Sequence, residues 1–198
     1  MPVKTYNFEP AVFLVEFNTQ CNIASIVFHR LQQTAPGWYS EAPTEVVGAQ
    51  MSPRDIMINC AAFLSAAAVI SKILFPGARP NTKVHRRCER LRMLLEIGEL
   101  PTLQKLSVRN SFEHVDERLD SIFKTFKSGS IAPISVDEDS HAKDTLVLKR
   151  FDPRNLTIAF LKAELSLPEC IAEIDQIDSM IDPALKKLFG SRFDLHGS

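Results

Sequence analysis

The clearest pattern of hydrophobic and polar positions runs from Ser107 to Lys127. Apolar side chains recur there at alternating intervals of four and three residues, as on one face of an α-helix. They are Val108, Phe112, Val115, Leu119, Ile122 and Phe126, and Phe123 widens the stripe. Ser107 has the chemistry of an N-cap. The pattern therefore predicts an amphipathic helix over 107–127 whose apolar face packs on a core.

Three further helices are predicted before this one. The first covers about Ala11 to Gln33, with apolar positions interrupted by polar side chains. The second begins at Ser52 and Pro53, a cap followed by a residue suited to the first helical turn, and should end before Pro76. The third covers residues 82–97. Four helices in the first two thirds of the chain indicate a helical bundle.

The second predicted helix is apolar enough to raise the question of a membrane. Its length approaches the roughly 20 apolar residues that a spanning helix needs. Arg54, Asp55, Asn59 and Lys72 interrupt it, however, and its many small residues suit close packing on neighbouring helices. We therefore expect a buried core helix and no membrane contact.

The last third of the chain has a different pattern. Residues 128–144 are polar and lack a sustained period, which predicts a loop or lid. Two β-rich runs, TLVLKRF and LTIAFLKAEL, are joined by DPRN and predict a small antiparallel hairpin. A final helix should begin at Leu167 and end before Pro183. The predicted fold is mainly α: a helical bundle over 1–127, with 128–198 packed on the same domain.

Composition narrows the class of protein. Hydrophobic residues make up 45% and charged residues 24%, as in a folded protein. The net charge of -1 argues against binding nucleic acid by bulk electrostatics, but it leaves room for a local basic site. The four cysteines are far apart and match no zinc or disulfide spacing. Because MPVKTYNFEP also lacks the organisation of a signal peptide, we expect a cytoplasmic protein with free thiols.

The polar face of the helix predicted over 107–127 carries the candidate chemistry. Arg109 and Asn110 fall in its first turn, where free backbone N–H groups and the helix dipole favour a phosphate. His114 lies one turn further along. A histidine exchanges protons near neutral pH. Alternatively, Arg109 forms an ion pair with Glu113 on a solvated helix that has no chemistry.

The run Arg109, Asn110, Ser111, Phe112, Glu113, His114 resembles the Arg-polar-x-x-x-His motif of the HEPN family, the higher eukaryotes and prokaryotes nucleotide-binding domains. The order of elements over 51–127 is similar to bacterial HEPN-like proteins as well. The resemblance implies an all-helical bundle, commonly a dimer, and in many members a metal-independent endoribonuclease or toxin.

The resemblance also implies roles for the three residues. His114 would transfer a proton during attack of the RNA 2′-hydroxyl, Arg109 would hold the phosphate, and Asn110 would orient His114 or contact the RNA. No cofactor and no metal is expected. A homodimer would bring two motifs into one cleft, and the partners implied are RNA and an antitoxin or regulatory protein. The alternative is a catalytically silent HEPN-like module that binds nucleotide, RNA or protein.

The third predicted helix is the most basic stretch of the chain. Lys83, Arg86, Arg87 and Arg90 are candidates for an RNA-binding wall that contacts phosphates. An ordinary solvated helix face explains the same residues equally well.

Overall fold

The computed structural model describes residues 8–34, 51–77, 79–105, 115–136, 145–161 and 163–190. In this part of the chain the helices are α1 (Phe8–Thr34), α2 (Pro53–Leu74), α3 (Lys83–Leu94), α4 (Pro101–Lys105), α5 (Val115–Phe123) and α6 (Leu167–Phe189). The strands are β1 (Ser130–Val136), β2 (Thr145–Asp152), β3 (Thr157–Phe160) and β4 (Ala163–Ser166). The prediction of a mainly α fold with a small β element and a final helix is confirmed.

The core is built on α1, which packs against both α2 and α6. The rings of Phe28 and Phe63 lie 6.5 Å apart between α1 and α2, and Phe17 is fully buried. Phe151 and Phe160 from the sheet belong to the same cluster of buried residues. The helical stretch and the stretch after residue 128 therefore share one hydrophobic core.

The start of α2 follows its sequence signals closely. The Ser52 side chain accepts a hydrogen bond from the backbone N–H of Asp55 at 3.2 Å, and Pro53 opens the helix. Residues Glu9–Thr34 and Pro53–Leu74 are each long and apolar enough to cross a membrane, judged by length and composition. The side chains of α2 are mostly buried against the rest of the chain, as in a core helix. The cytoplasmic location remains a prediction.

The sheet has four strands in the order β1-β2-β3-β4. The predicted hairpin is present: β2 and β3 are antiparallel, with Asp152 opposite Thr157. The Asp152 carboxylate accepts hydrogen bonds from the Arg154 backbone N–H and the Asn155 amide, both at 2.8 Å, and so stabilises the turn. The second β-rich run supplies a further strand, because β4 pairs with β3 in antiparallel orientation.

The interpretation of residues 128–144 as a loop is wrong for 130–136, which form β1. This strand runs parallel to β2 at the edge of the sheet. Pro133 argues against a central strand, but an edge strand tolerates a residue that has no N–H to donate. Pro133 interrupts the strand and polar residues flank it on both sides, so the sequence shows no sustained β pattern there.

The predicted end of the last helix before Pro183 is also wrong, since α6 continues to Phe189. Pro183 itself is exposed, whereas Ile181, Ala184 and Leu185 around it are buried in the core. Burial of these three apolar side chains offsets the hydrogen bond that the proline cannot make. Gly190 caps the end of the helix, and its φ of 80° lies in the region that glycine adopts readily.

All four cysteines are free and buried. Burial raises the pKa of the Cys21 thiol to about 12, and the carboxylates of Asp178 and Asp175 add to this shift. Burial, followed by the charge of Glu173, raises the pKa of Cys170 to about 12. These thiols stay protonated in the folded protein under ordinary conditions.

We expect the free energy of unfolding to fall as the pH rises above 9.0, the ordinary pKa of a thiol. The unfolded chain then loses thiol protons that the folded chain retains up to a pH of about 12. Each such thiol contributes a slope of about 1 kcal/mol per pH unit. Urea unfolding of the wild type and of Cys21→Ala over this range measures it. An identical slope in both proteins would contradict the expectation.

Candidate functional site

The proposed catalytic residues Arg109, Asn110 and His114 lie outside the described residues, as does the predicted N-cap Ser107. The structure describes the chain on both sides of them. Helix α4 ends at Lys105, and α5 begins at Val115. The predicted helix over 107–127 is therefore described only from Val115, and it ends at Phe123, four residues earlier than expected.

We call residues 109–114 the motif segment. The helix before it, α4, is held in place through hydrogen bonds to its backbone. The carboxylate of Glu173 on α6 accepts hydrogen bonds from the N–H groups of Thr102 and Leu103, both at 2.8 Å. These N–H groups belong to the first turn of α4 and have no acceptor within their own helix. Glu173 thus serves as a cap supplied by another helix.

Two further contacts hold the same point of α4. The Ser71 hydroxyl of α2 donates a hydrogen bond to the carbonyl oxygen of Leu103 at 2.6 Å, and Ser71 is buried. The Leu103 side chain is itself fully buried in the core. The peptide groups of Leu103 are therefore bound on both sides, to α2 and to α6. We call Ser71, Leu103 and Glu173 the α4 anchor.

Sequence analysis did not find the α4 anchor. Pro101 is the first residue of α4, and a proline suits the first position of a helix whose early N–H groups need acceptors. Glu173 lies one position from the buried stripe of α6 that includes Cys170, Ile174 and Ile177. A carboxylate at the margin of a buried stripe is a usable signal for a partner on another element.

After the motif segment, α5 presents an acidic surface. Asp116, Glu117 and Asp120 are exposed. On the opposite side Leu119 and Ile122 are half-buried, as the predicted stripe requires. The Phe123 side chain is 51% exposed and so does not extend the buried face.

The four candidate RNA-binding residues all lie on α3, but their side chains have two different environments. Lys83 and Arg86 are exposed. The Arg87 guanidinium lies 4.6 Å from the centre of the Phe13 ring of α1, and its Nε is buried. Arg90 forms an ion pair with Glu9 of α1 at 3.2 Å. The structure therefore gives Arg87 and Arg90 contacts within the chain and leaves Lys83 and Arg86 facing solvent.

Replacing Arg87 by alanine is expected to lower the free energy of unfolding by about 1 to 2 kcal/mol, because it removes a cation–π contact and the packing of the side-chain stem. Arg86→Ala, one position away on the exposed surface, should stay within about 0.5 kcal/mol of the wild type. Urea unfolding compares the two variants. Equal stabilities would show that the contact with Phe13 contributes nothing measurable.

A shallow depression of about 370 Å³ lies beside α4 at the start of α6. It is lined by Pro101, Thr102, Lys105, Glu164, Leu165, Ser166 and Glu169. Two carboxylates and one ammonium group give it a mixed charge. Within the described ranges, no group of three His, Cys, Asp or Glu side chains is placed to hold a metal ion.

Compared with known proteins, the chain matches no family model, no curated protein and no solved structure. The assignment of a function therefore rests on the residues of this chain.

Proposed function

We propose that this chain is a metal-independent endoribonuclease of the HEPN type that cleaves RNA as a homodimer. The observation that carries the proposal is the spacing of Arg109, Asn110 and His114, which matches the Arg-polar-x-x-x-His motif of that family. The mainly helical fold is compatible with it. The α4 anchor holds α4, and this helix ends at Lys105, four residues before Arg109 in the sequence.

The proposed reaction needs one base, one acid and a stabiliser of negative charge. A base removes the proton of the 2′-hydroxyl, the 2′-oxygen forms a bond to phosphorus, and the bond from phosphorus to the 5′-oxygen breaks. An acid protonates the 5′-oxygen as it leaves. The products are a 2′,3′-cyclic phosphate and a 5′-hydroxyl. Arg109 stabilises the charge that develops on the phosphate oxygens, and Asn110 orients His114 or contacts the RNA.

One motif supplies a single histidine, whereas this reaction uses both a base and an acid. A twofold dimer provides the second histidine, because each copy contributes His114 to a shared cleft. The exposed Lys83 and Arg86 are the RNA-contacting cations of the proposal, since Arg87 and Arg90 are engaged with α1. A cytoplasmic toxin or defence effector with an antitoxin or regulatory partner fits this activity.

A second candidate function is a catalytically silent HEPN-like module that binds nucleotide, RNA or protein. The acidic surface of α5 favours it, because Asp116, Glu117 and Asp120 repel phosphate close to the motif. The two arginines of α3 that contact α1 reduce the positive charge available to offset this repulsion.

Cleavage of end-labelled total RNA and transfer RNA in excess EDTA tests the proposal. The purified wild type should produce fragments with 2′,3′-cyclic phosphate ends, because no metal-bound water takes part. Intact RNA with a folded, dimeric wild type would reject the nuclease and favour the silent module. Binding of the same RNA without cleavage would identify RNA as the ligand of that module.

A further inference from the structure

Helix α1 has an apolar stripe on the side that faces away from the core. Val12, Val15, Ile23 and Ile26 are exposed by 66%, 43%, 38% and 54%. Together with Thr19 they fall within about a quarter of the helix circumference at 100° per residue. The buried residues of α1, among them Leu14, Phe17 and Leu31, lie on the opposite side. We call Val12, Val15, Thr19, Ile23 and Ile26 the outer stripe.

Thr19, at the centre of the outer stripe, does not bring an unsatisfied polar group to it. Its hydroxyl donates a hydrogen bond to the carbonyl oxygen of Val15 at 3.1 Å, within the same helix. The hydroxyl can therefore be covered by a partner without losing its hydrogen bond. The stripe behaves as a continuous apolar surface along about 21 Å of helix.

The spacing of the residues in the outer stripe is symmetric about its midpoint. From Val12 the intervals are three, four, four and three residues, so Thr19 is its midpoint. An antiparallel copy of α1 placed across a twofold axis at Thr19 puts Val12 opposite Ile26 and Val15 opposite Ile23. A twofold interface requires this kind of self-complementary surface.

Charge supports the same orientation. Glu9 lies near the start of the stripe, and the exposed Arg30 lies near its end. Antiparallel pairing brings each Arg30 beside Glu9 of the other copy. Within its own copy, that Glu9 carboxylate already forms an ion pair with Arg90. Parallel pairing would instead place the two Arg30 side chains together. The charges therefore select the antiparallel arrangement.

We propose that the outer stripe of α1 is a dimer interface, in which α1 packs antiparallel on α1 of a second copy with Thr19 at the twofold axis. The inference is argued from α1 alone. A monomeric wild type would count against the proposed nuclease as well, because that activity also needs a dimer, whereas the charge exchange described below tests the α1 register only. Two helices in contact over this length bury less area than a standard interface of about 1,600 Å². We therefore expect a weak dimer that dissociates reversibly.

A lipid surface suits the stripe less well than a second copy. Helices that lie on membranes usually carry several lysines and arginines beside their apolar face. Helix α1 carries one arginine, no lysine and two glutamates. Its charge does not attract the anionic headgroups that such helices use.

Charge exchange across the axis tests the register. Val15→Lys and Ile23→Glu, each alone, should raise the dimer dissociation constant at least about tenfold, because each places an unpaired charge against an apolar residue. The double variant should return to within about threefold of the wild type, because the antiparallel pair brings each lysine beside a glutamate of the other copy. Ile131→Lys on β1 is the matched control and should leave the dissociation constant unchanged. Ile131 is also an exposed apolar residue, at 41%, but it lies on β1, which packs on β2 and α2. Sedimentation equilibrium measures all four variants.

Oxidation of Thr19→Cys supplies an independent readout. It should give a disulfide-linked dimer in high yield, whereas Ser65→Cys on the exposed side of α2 should not, and the buried native thiols keep the background low. A double variant that dissociates as readily as the single variants overturns the proposal. A wild type that is monomeric at about 100 μM also overturns it, and flotation of that monomer with anionic vesicles would assign the stripe to a lipid surface.

Discussion

Replacing His114 by alanine is expected to lower the rate of RNA cleavage by at least about 10²-fold while the protein stays folded and dimeric. General acid or base catalysis by one side chain is worth about 10²- to 10⁴-fold, and in the proposed dimer both the acid and the base are lost together. Single-turnover cleavage of the best RNA substrate in EDTA measures the effect. Circular dichroism and sedimentation establish that the variant is otherwise intact.

Matched controls separate this loss from a general effect of the substitution. His29 is exposed on α1, so His29→Ala should cleave RNA at the wild-type rate. Arg109→Ala should lose activity as His114→Ala does, whereas Arg54→Ala in the exposed first turn of α2 should not. If His114→Ala keeps more than about a tenth of the activity, another residue performs the proton transfer.

Glu173→Ala is expected to lower the free energy of unfolding by about 2 to 3 kcal/mol. The substitution removes two hydrogen bonds to a carboxylate and leaves the N–H groups of Thr102 and Leu103 without that acceptor. Glu173→Gln keeps one acceptor oxygen and should lose about half as much. Urea unfolding gives the global effect, and amide hydrogen exchange of Thr102 and Leu103 shows whether α4 loosens locally.

Asp175→Ala is the control for Glu173, because Asp175 is an exposed carboxylate on the same helix. It should change the free energy of unfolding by less than about 0.5 kcal/mol. Unchanged exchange of Thr102 and Leu103 in Glu173→Ala would show that the anchor does not hold α4. If the proposed function is correct, loosening α4 should also lower cleavage, because the motif segment follows directly after that helix.

The sequence predicted those parts of the fold where local and long-range preferences agree. At α2, the cap Ser52, the proline at the first position and the apolar run all indicate a helix, and the predicted bounds are correct. Thr82 caps α3 in the same way, by accepting a hydrogen bond from the His85 N–H at 3.2 Å. Helix bounds are readable where capping chemistry and periodicity coincide.

Prediction failed where tertiary contacts outweigh local preference. Pro183 indicates a helix end, yet the burial of neighbouring side chains continues α6 beyond it. Pro133 argues against a strand, yet β2 supplies an edge to pair with. The basic run of α3 gave no means of separating Arg86, which faces solvent, from Arg87, because the contact with Phe13 joins residues far apart in the chain. The candidate catalytic residues were proposed from their spacing alone. Spacing along the chain gives no information about the α4 anchor, because its three residues are far apart in the sequence.

The α4 anchor also sets an order of events during synthesis. Arg109 precedes Glu173 by 64 residues, so at about 5 to 20 residues per second the ribosome makes Arg109 roughly 3 to 13 s before the carboxylate that caps α4. A nascent chain that already carries Arg109 and His114 therefore lacks the support of α6. If the chain is a nuclease that acts on RNA, the helix before its catalytic residues would lack its cap during this interval, while the chain is still attached to the ribosome.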